Sequence, residues 1–161
     1  MTLPPNDLVA PGPHDPESRP PLLHRDVTRV ILGAFYAVHT ELGFGFLEAV
    51  YKNAIVVLLR NAGVQVDREV EFDLAFHGAS IGVYRADMIV ESKVVVEVKT
   101  GRAIDPVHCA QLRNYLRASS QEVGLLLHFG QSAEFKRMIS TRKAPASSGG
   151  QAGLAMRLQQ Q

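Results

Sequence analysis

The sequence predicts a mixed α/β domain: a central mixed sheet of about four strands with helices on its faces. Three observations lead there. Two stretches between Arg25 and Ala62 repeat apolar residues at helical spacing. Three stretches between Val64 and Lys99 read as half-buried strands. A further helical stretch then precedes Val123–Phe129 (VGLLLHF), a nearly continuous apolar run that reads as a strand covered on both sides.

The first helix begins at Arg25 or Asp26. Val27, Val30, Ile31, Ala34, Phe35 and Val38 form its apolar stripe, and Gly43 ends it as a C′ glycine. His39 falls near its last turn, a structural position at which the helix dipole tolerates a cation. The second helix runs from Leu47 to Ala62 and stops at Gly63. Val64 to Phe76 is an extended strand, with Val64, Val66, Val70, Phe72, Leu74 and Phe76 expected on one side and a bend at Asp67 and Arg68. His77–Ser80 is a turn. Ile81–Val90 and Lys93–Lys99 complete an antiparallel meander. After the loop Gly101–Pro106, a helix starts at Pro106, which suits the first helical position, and runs to Ala118. That crossover sets Val123–Phe129 parallel to Val94–Lys99. Glu134–Ile139 is either a short helix or a strand.

One domain fits 161 residues, and 46% apolar with 20% charged residues is ordinary globular composition. A net charge of +1 supplies no overall attraction for nucleic acid, so any basic footprint must be local. The single cysteine, Cys109, excludes an internal disulfide and suits a reducing compartment; it is expected as a small helix residue. No apolar signal region follows Met1, and the longest purely apolar run, Ala54–Leu59, is too short to span a bilayer. The expectation is a soluble cytoplasmic protein with no membrane partner. Met1 to His24 carries seven of the nine prolines and is expected to be a disordered arm, with His14 and His24 solvated. Residues 141–161 are expected to be a flexible tail, leaving 25–140 as the domain.

The chemistry concentrates between Arg85 and Thr100. Glu97 and Lys99 alternate with Val96 and Val98, so they leave the strand on one face while the valines enter the core. A hairpin centred on Ser92 sets Asp87 directly across from Glu97, and facing residues share a side of the sheet. Two carboxylates and an ammonium then converge. Like charges held that close repel, and burial sharpens the conflict. A divalent cation resolves it: Mg²⁺ takes a few carboxylate oxygens and keeps its waters. With Lys99 beside a water or phosphate, this is apparatus for metal-assisted phosphodiester hydrolysis. Asp-x9-Glu-x-Lys is a loose pattern, and acids and lysines on an amphipathic strand are also common as plain surface residues. Glu48, in the first turn of the second helix, has two readings as well. It favours the helix N-terminus by a few tenths to about 1 kcal/mol, or it is a third acid aimed at the same ion.

Further residues add a resemblance. Gly45-Phe46-Leu47-Glu48-Ala49-Val50-Tyr51 is a GxxExxY motif. Arg85-Ala86-Asp87, Val96-Glu97-Val98-Lys99, Pro106-Val107-His108, Ala110-Gln111-Leu112, Tyr115-Leu116 and Gly124-Leu125-Leu126 follow in order. Over Asp26 to Ile139 the chain resembles the GxxExxY protein family, a branch of the PD-(D/E)XK nuclease-like superfamily. The resemblance implies a restriction-endonuclease-like core and a Mg²⁺- or Mn²⁺-dependent nuclease acting on DNA or RNA. It implies that Asp87 and Glu97, with the Val98 carbonyl, hold the ion, and that Lys99 orients the water or steadies the transition state. Glu48 becomes the acid of an early helix, holding a ligand water or a second ion. Gln111 and Tyr115 become a Q-x-x-x-Y element, with Gln111 steering Lys99 or the phosphate. Arg85, Arg102, Arg113 and Arg117 are candidate phosphate contacts, although helix-surface arginines are usually solvated.

The match departs from the pattern in two places. Asp87 follows Ala86, where the superfamily's name has proline. Cys109 stands where a polar or acidic residue is expected, and no role is assigned to it. His108 either positions a phosphate or caps its helix, the second being preferred. Two rivals stand beside the nuclease: a non-catalytic module of the same fold that binds nucleic acid or protein, and an unrelated α/β protein whose acids form surface ion pairs.

Overall fold

The computed structural model describes residues 23–119 and 121–140. The expected arm, as far as residue 22, and the expected tail lie outside the described residues. Arg25–Leu42 form α1 and Glu48–Asn61 form α2. The meander is β1 (Val66–Phe76), β2 (Ala79–Val90) and β3 (Val94–Thr100). Then come α3 (Pro106–Ala118), β4 (Val123–Phe129) and β5 (Ala133–Ile139). The sheet has five strands in the order β1-β2-β3-β4-β5. β3 and β4 run parallel, as the crossover requires, and every other neighbouring pair is antiparallel.

The fifth strand settles the two readings of Glu134–Ile139. β4 is buried along its whole length, so its outer edge cannot turn its N–H and C=O groups to water. β5 pairs with that edge from Val123↔Ile139 to Phe129↔Ala133. Its own side chains alternate, and Phe135 packs on the α1 side while Met138 packs under α3.

Helices α1 and α2 cover one face of the sheet with a core built around Ile31, Phe35, Tyr51 and Ile55. Helix α3 covers the other through Leu112 and Leu116. It lies close: a Cβ on Gly124 of β4 would come within 3.0 Å of the Leu112 side chain. No helix among the described residues is long and apolar enough to cross a membrane.

The pleat of β1 and β2 turns over once, and the turnover positions the site. Val66, Met88 and Val90 face α1 and α2, whereas Val70, Phe72, Tyr84 and Ala86 face α3. Simple alternation would keep each strand's set on one side. The reversal falls at Glu69, whose φ is +50°, and at Asp87 opposite it. The single apolar side expected for β1 is therefore corrected, and the bend lies at Glu69, just beyond Asp67 and Arg68. Phe76 is 63% exposed at the far end of the strand.

Two local details differ from expectation. His24 comes within 3.5 Å of Glu122 through Nε2, so it is held rather than solvated. At the start of α3 the cap is Asp105, whose carboxylate accepts the Val107 N–H at 2.8 Å. His108 contributes only its backbone N–H, to the Asp105 carbonyl at 3.1 Å, because the carboxylate already satisfies the open donor. His39, in the last turn of α1, reaches the Gly130 carbonyl through Nε2 at 2.9 Å.

The α1–α2 connection is pinned from within α2. The Gly43 N–H closes α1 onto the His39 carbonyl at a φ of +70°, and Gly45 follows at +107°. The buried Tyr51 hydroxyl accepts the Phe46 N–H at 3.1 Å and donates to the Gly43 carbonyl at 3.0 Å. Its ring stacks on Phe129, and Phe35 meets Phe129 edge-on at 4.9 Å. Replacing Tyr51 by Phe keeps that stack and strips two loop bonds. The expected loss is about 1–2 kcal/mol in urea unfolding, against about 3–5 kcal/mol for Tyr51→Ala, which also opens a cavity.

Candidate active site

The site forms where β2 leaves β3. The hairpin turns on Ser92 as expected: Glu91 and Ser92 both have φ above +50°, and the Lys93 N–H bonds the Val90 carbonyl at 3.0 Å. The ladder then runs Val90↔Val94, Ile89↔Val95, Met88↔Val96 and stops. Its register would set Asp87 against Glu97, but that pair does not join the ladder. Beyond Val96 the edge of β3 that faces β2 has lost its backbone partners.

Carboxylates take their place. Asp87 Oδ2 accepts the Val98 N–H at 2.8 Å, and Glu48 Oε1 accepts the Thr100 N–H at 3.3 Å. The edge of β3 thereby draws one acid from β2 and one from α2 to the same stretch of backbone. For Val98 it is the N–H that meets Asp87. The placement of Asp87 corrects the picture of two acids standing side by side on one face. Its carboxylate is turned to the strand edge and toward α2, because the pleat reverses at this residue.

Glu97 and Lys99 leave β3 on the α3 side, as alternation requires. Lys99 Nζ lies 3.9 Å from Glu97 Oε2. Glu97 is only 8% exposed. The Tyr84 hydroxyl donates to Glu97 Oε1, and the Tyr84 ring stacks nearly parallel on Tyr115 from α3. Tyr115 thus acts on the carboxylate through Tyr84. Gln111 stands one turn earlier on α3 and is exposed. Beside Lys99, in register on β4, lies His128, 1% exposed and with neither ring nitrogen partnered among the described residues.

The electrostatics show that the acids sense one another. Burial, and then the charge of Asp87, push the Glu97 carboxyl up to about 7. The Tyr84 hydrogen bond and the Lys99 charge oppose that rise. Burial, followed by the facing Glu97 charge, raises the Tyr84 phenol and keeps it a donor. The Tyr115 phenol is raised for the same two reasons.

Two participants are not among the residues singled out from the sequence. Lys52 bonds Asp87 Oδ1 at 2.9 Å and lies 3.3 Å from Glu69 Oε1. Its spacing carried a usable signal: it falls four residues after Glu48, on the same face of α2. Tyr84 carried none, since strict alternation from Asp87 would turn it the other way. Of the candidate phosphate contacts, Arg85 is already held by Glu71 through Nε at 3.1 Å, whereas Arg102, Arg113 and Arg117 are exposed. Cys109 is a half-buried free thiol on α3, packed against the core beneath that helix.

Among the described residues, no three His, Cys, Asp or Glu side chains group closely enough to hold a metal. The donor set that does fit a hard cation is the coupled pair Asp87 and Glu97. A cationic ammonium, that of Lys52, already stands on Asp87.

This chain belongs to the PD-(D/E)XK nuclease superfamily, whose family model matches residues 25–138. The match runs from the start of α1 almost to the end of β5 and takes in every site residue named above. Among solved structures, SSO0001 is 22% identical over 73% of this chain and 67% of its own, with a TM-score of 0.39. No curated protein matches.

The raised Glu97 carboxyl sets a pH dependence. Unfolded, Glu97 titrates near 4.5; folded, near 7. The folded state binds the extra proton between those values, so stability falls as pH climbs through that window and levels off above it. Urea unfolding of the metal-free protein is expected to lose on the order of 3 kcal/mol between pH 4.5 and 7.5 from this group. Glu97→Gln is expected to remove that component of the slope and to be the more stable protein at pH 8.

Proposed function

We propose that this protein is a metal-dependent nuclease of the GxxExxY branch, hydrolysing phosphodiester bonds of DNA or RNA. The observation that carries the reading is the coupling of the buried Glu97 to Asp87 at the parting of β2 and β3, with the Lys99 ammonium 3.9 Å from Glu97. Two acids and a lysine kept together at a cost to folding are expected of a site that handles charge. The branch assignment is supported by the work each motif residue does: Gly45 turns the loop, Glu48 reaches β3, and Tyr51 holds the loop.

Asp87 and Glu97, with the Val98 carbonyl, would hold Mg²⁺ or Mn²⁺, and Glu48 would hold a ligand water or a second ion. Such an ion supplies Lewis acidity, lowering the pKa of water and offsetting charge on the phosphate. Tyr84 fixes one oxygen of Glu97 and leaves the other toward Lys99. Lys99 contributes a point charge to the attacked phosphate or orients the attacking water. Tyr115 acts as a positioning residue behind Tyr84. Gln111, one turn away, is the group of α3 free to meet substrate. Arg102, Arg113 and Arg117 are available to the phosphate backbone, a local basic footprint on a chain of net charge +1.

Purified protein incubated with single- and double-stranded DNA and RNA in Mg²⁺ or Mn²⁺ is expected to cleave at least one of them, and EDTA is expected to abolish cleavage. Lys99→Ala and Glu97→Ala are each expected to lower the rate roughly 10²–10⁴-fold. Cleavage that survives Glu97→Ala marks a contaminant. Binding without turnover that ignores EDTA selects the non-catalytic module instead.

A further inference from the structure

Both carboxylate oxygens of Asp87 are already engaged. Oδ2 is held by the Val98 N–H at 2.8 Å, and Oδ1 is held by the Lys52 ammonium at 2.9 Å. The first of these bonds belongs to the fold, since it replaces the backbone partner that β3 lost. The second is an ion pair on a flexible four-carbon stem, and it can be exchanged. Its side chains are well covered, Lys52 being 18% and Asp87 14% exposed, so the attraction is less screened than on an open surface.

A second acid is already within reach of the same ammonium. Lys52 Nζ lies 3.3 Å from Glu69 Oε1, and Glu69 is 46% exposed. Glu69 owes its place to the backbone: it sits at a φ of +50°, at the reversal of the β1–β2 pleat, opposite Asp87. An unbranched acid at that angle costs on the order of 1 kcal/mol or more. Because Nζ already touches both acids, moving from one to the other needs rotation about its last bonds and no shift of α2.

We propose that Lys52 is the resident counter-ion of the site: in the metal-free protein it occupies Asp87, and when a divalent cation binds it transfers to Glu69, which is placed to receive it. The inference rests on the metal-dependent reading above and adds a displaceable internal cation to it. Lys52 is an ammonium held between two carboxylates, Asp87 at 2.9 Å and Glu69 at 3.3 Å. Removal therefore has to come from competition. Lys52 would set how much metal the site demands, and it would spare the metal-free protein an uncompensated Asp87 beside Glu97.

The test is equilibrium Mn²⁺ binding by calorimetry on the full chain, with circular dichroism as the folding control. Lys52→Met is expected to tighten Mn²⁺ binding roughly tenfold. Glu69→Gln is expected to weaken it about threefold in the presence of Lys52 and to have no effect in the Lys52→Met background. That loss of effect separates a hand-over from through-space attraction, which would persist without Lys52. Lys52→Gln serves if the Met variant does not fold. Wild-type binding that neither Lys52 variant tightens, or a Glu69→Gln effect undiminished without Lys52, overturns the inference alone. Absence of Mn²⁺ binding in every variant overturns the metal-dependent reading and this inference with it.

Discussion

Everything at the site follows from β2 parting from β3 after three residue pairs. Val98 and Thr100 are then left with backbone N–H groups that face neither strand nor open water. A buried donor without a partner costs roughly 1–3 kcal/mol, so the fold must supply acceptors. Asp87 and Glu48 are those acceptors. Satisfying the backbone of β3 and collecting negative charge around it are one act. An acid that elsewhere would point to solvent is here tied to the strand that carries Glu97 and Lys99.

The concentration of charge is then managed from both faces of the sheet. On the α3 side, Tyr84 donates to Glu97 and is backed by Tyr115, while Lys99 stands 3.9 Å away. On the α2 side, Lys52 pairs with Asp87. These partners reduce the tension without removing it, as the raised Glu97 carboxyl shows. Two acids that sense one another, one of them buried, are eased by a proton on Glu97 or by cations beside them. Lysines fill that role in the metal-free protein. A divalent ion would fill it with twice the charge.

The apolar architecture holds the parting open. The stack of Phe35, Phe129 and Tyr51 joins α1, β4 and α2, and the Tyr51 hydroxyl also clamps the loop before Glu48. The start of α2, and with it Glu48, is therefore fixed relative to the sheet by the hydrophobic core rather than by a side-chain cap, which Leu47 lacks. The pleat reversal at Glu69 and Asp87 does the corresponding work for β2. It lets the hairpin end of the strand pack under α1 and α2 while Tyr84 and Ala86 pack under α3.

Seven of the eight elements, their order and the β2–β3 register are legible in the sequence, whereas Glu134–Ile139 is left between helix and strand until β5 pairs with β4. Apolar periods of 3.6 and 2, glycine stops and a turn centred on Ser92 are local properties, and the β2–β3 register follows from them by counting. The sequence also determined which face of β3 Glu97 and Lys99 occupy, because alternation along one regular strand needs no other information. Its ordered motifs pointed to the superfamily that the match over residues 25–138 establishes. Tertiary packing sets where Asp87 points, brings Tyr84 to Glu97 and seats Lys52 between Asp87 and Glu69. The physical reason is the same in each case. A positive φ at Glu69 reverses a pleat that alternation assumes to be uniform, and the partners across the parting come from elements distant in sequence. Which of them lies within 3 Å is set by how the layers pack.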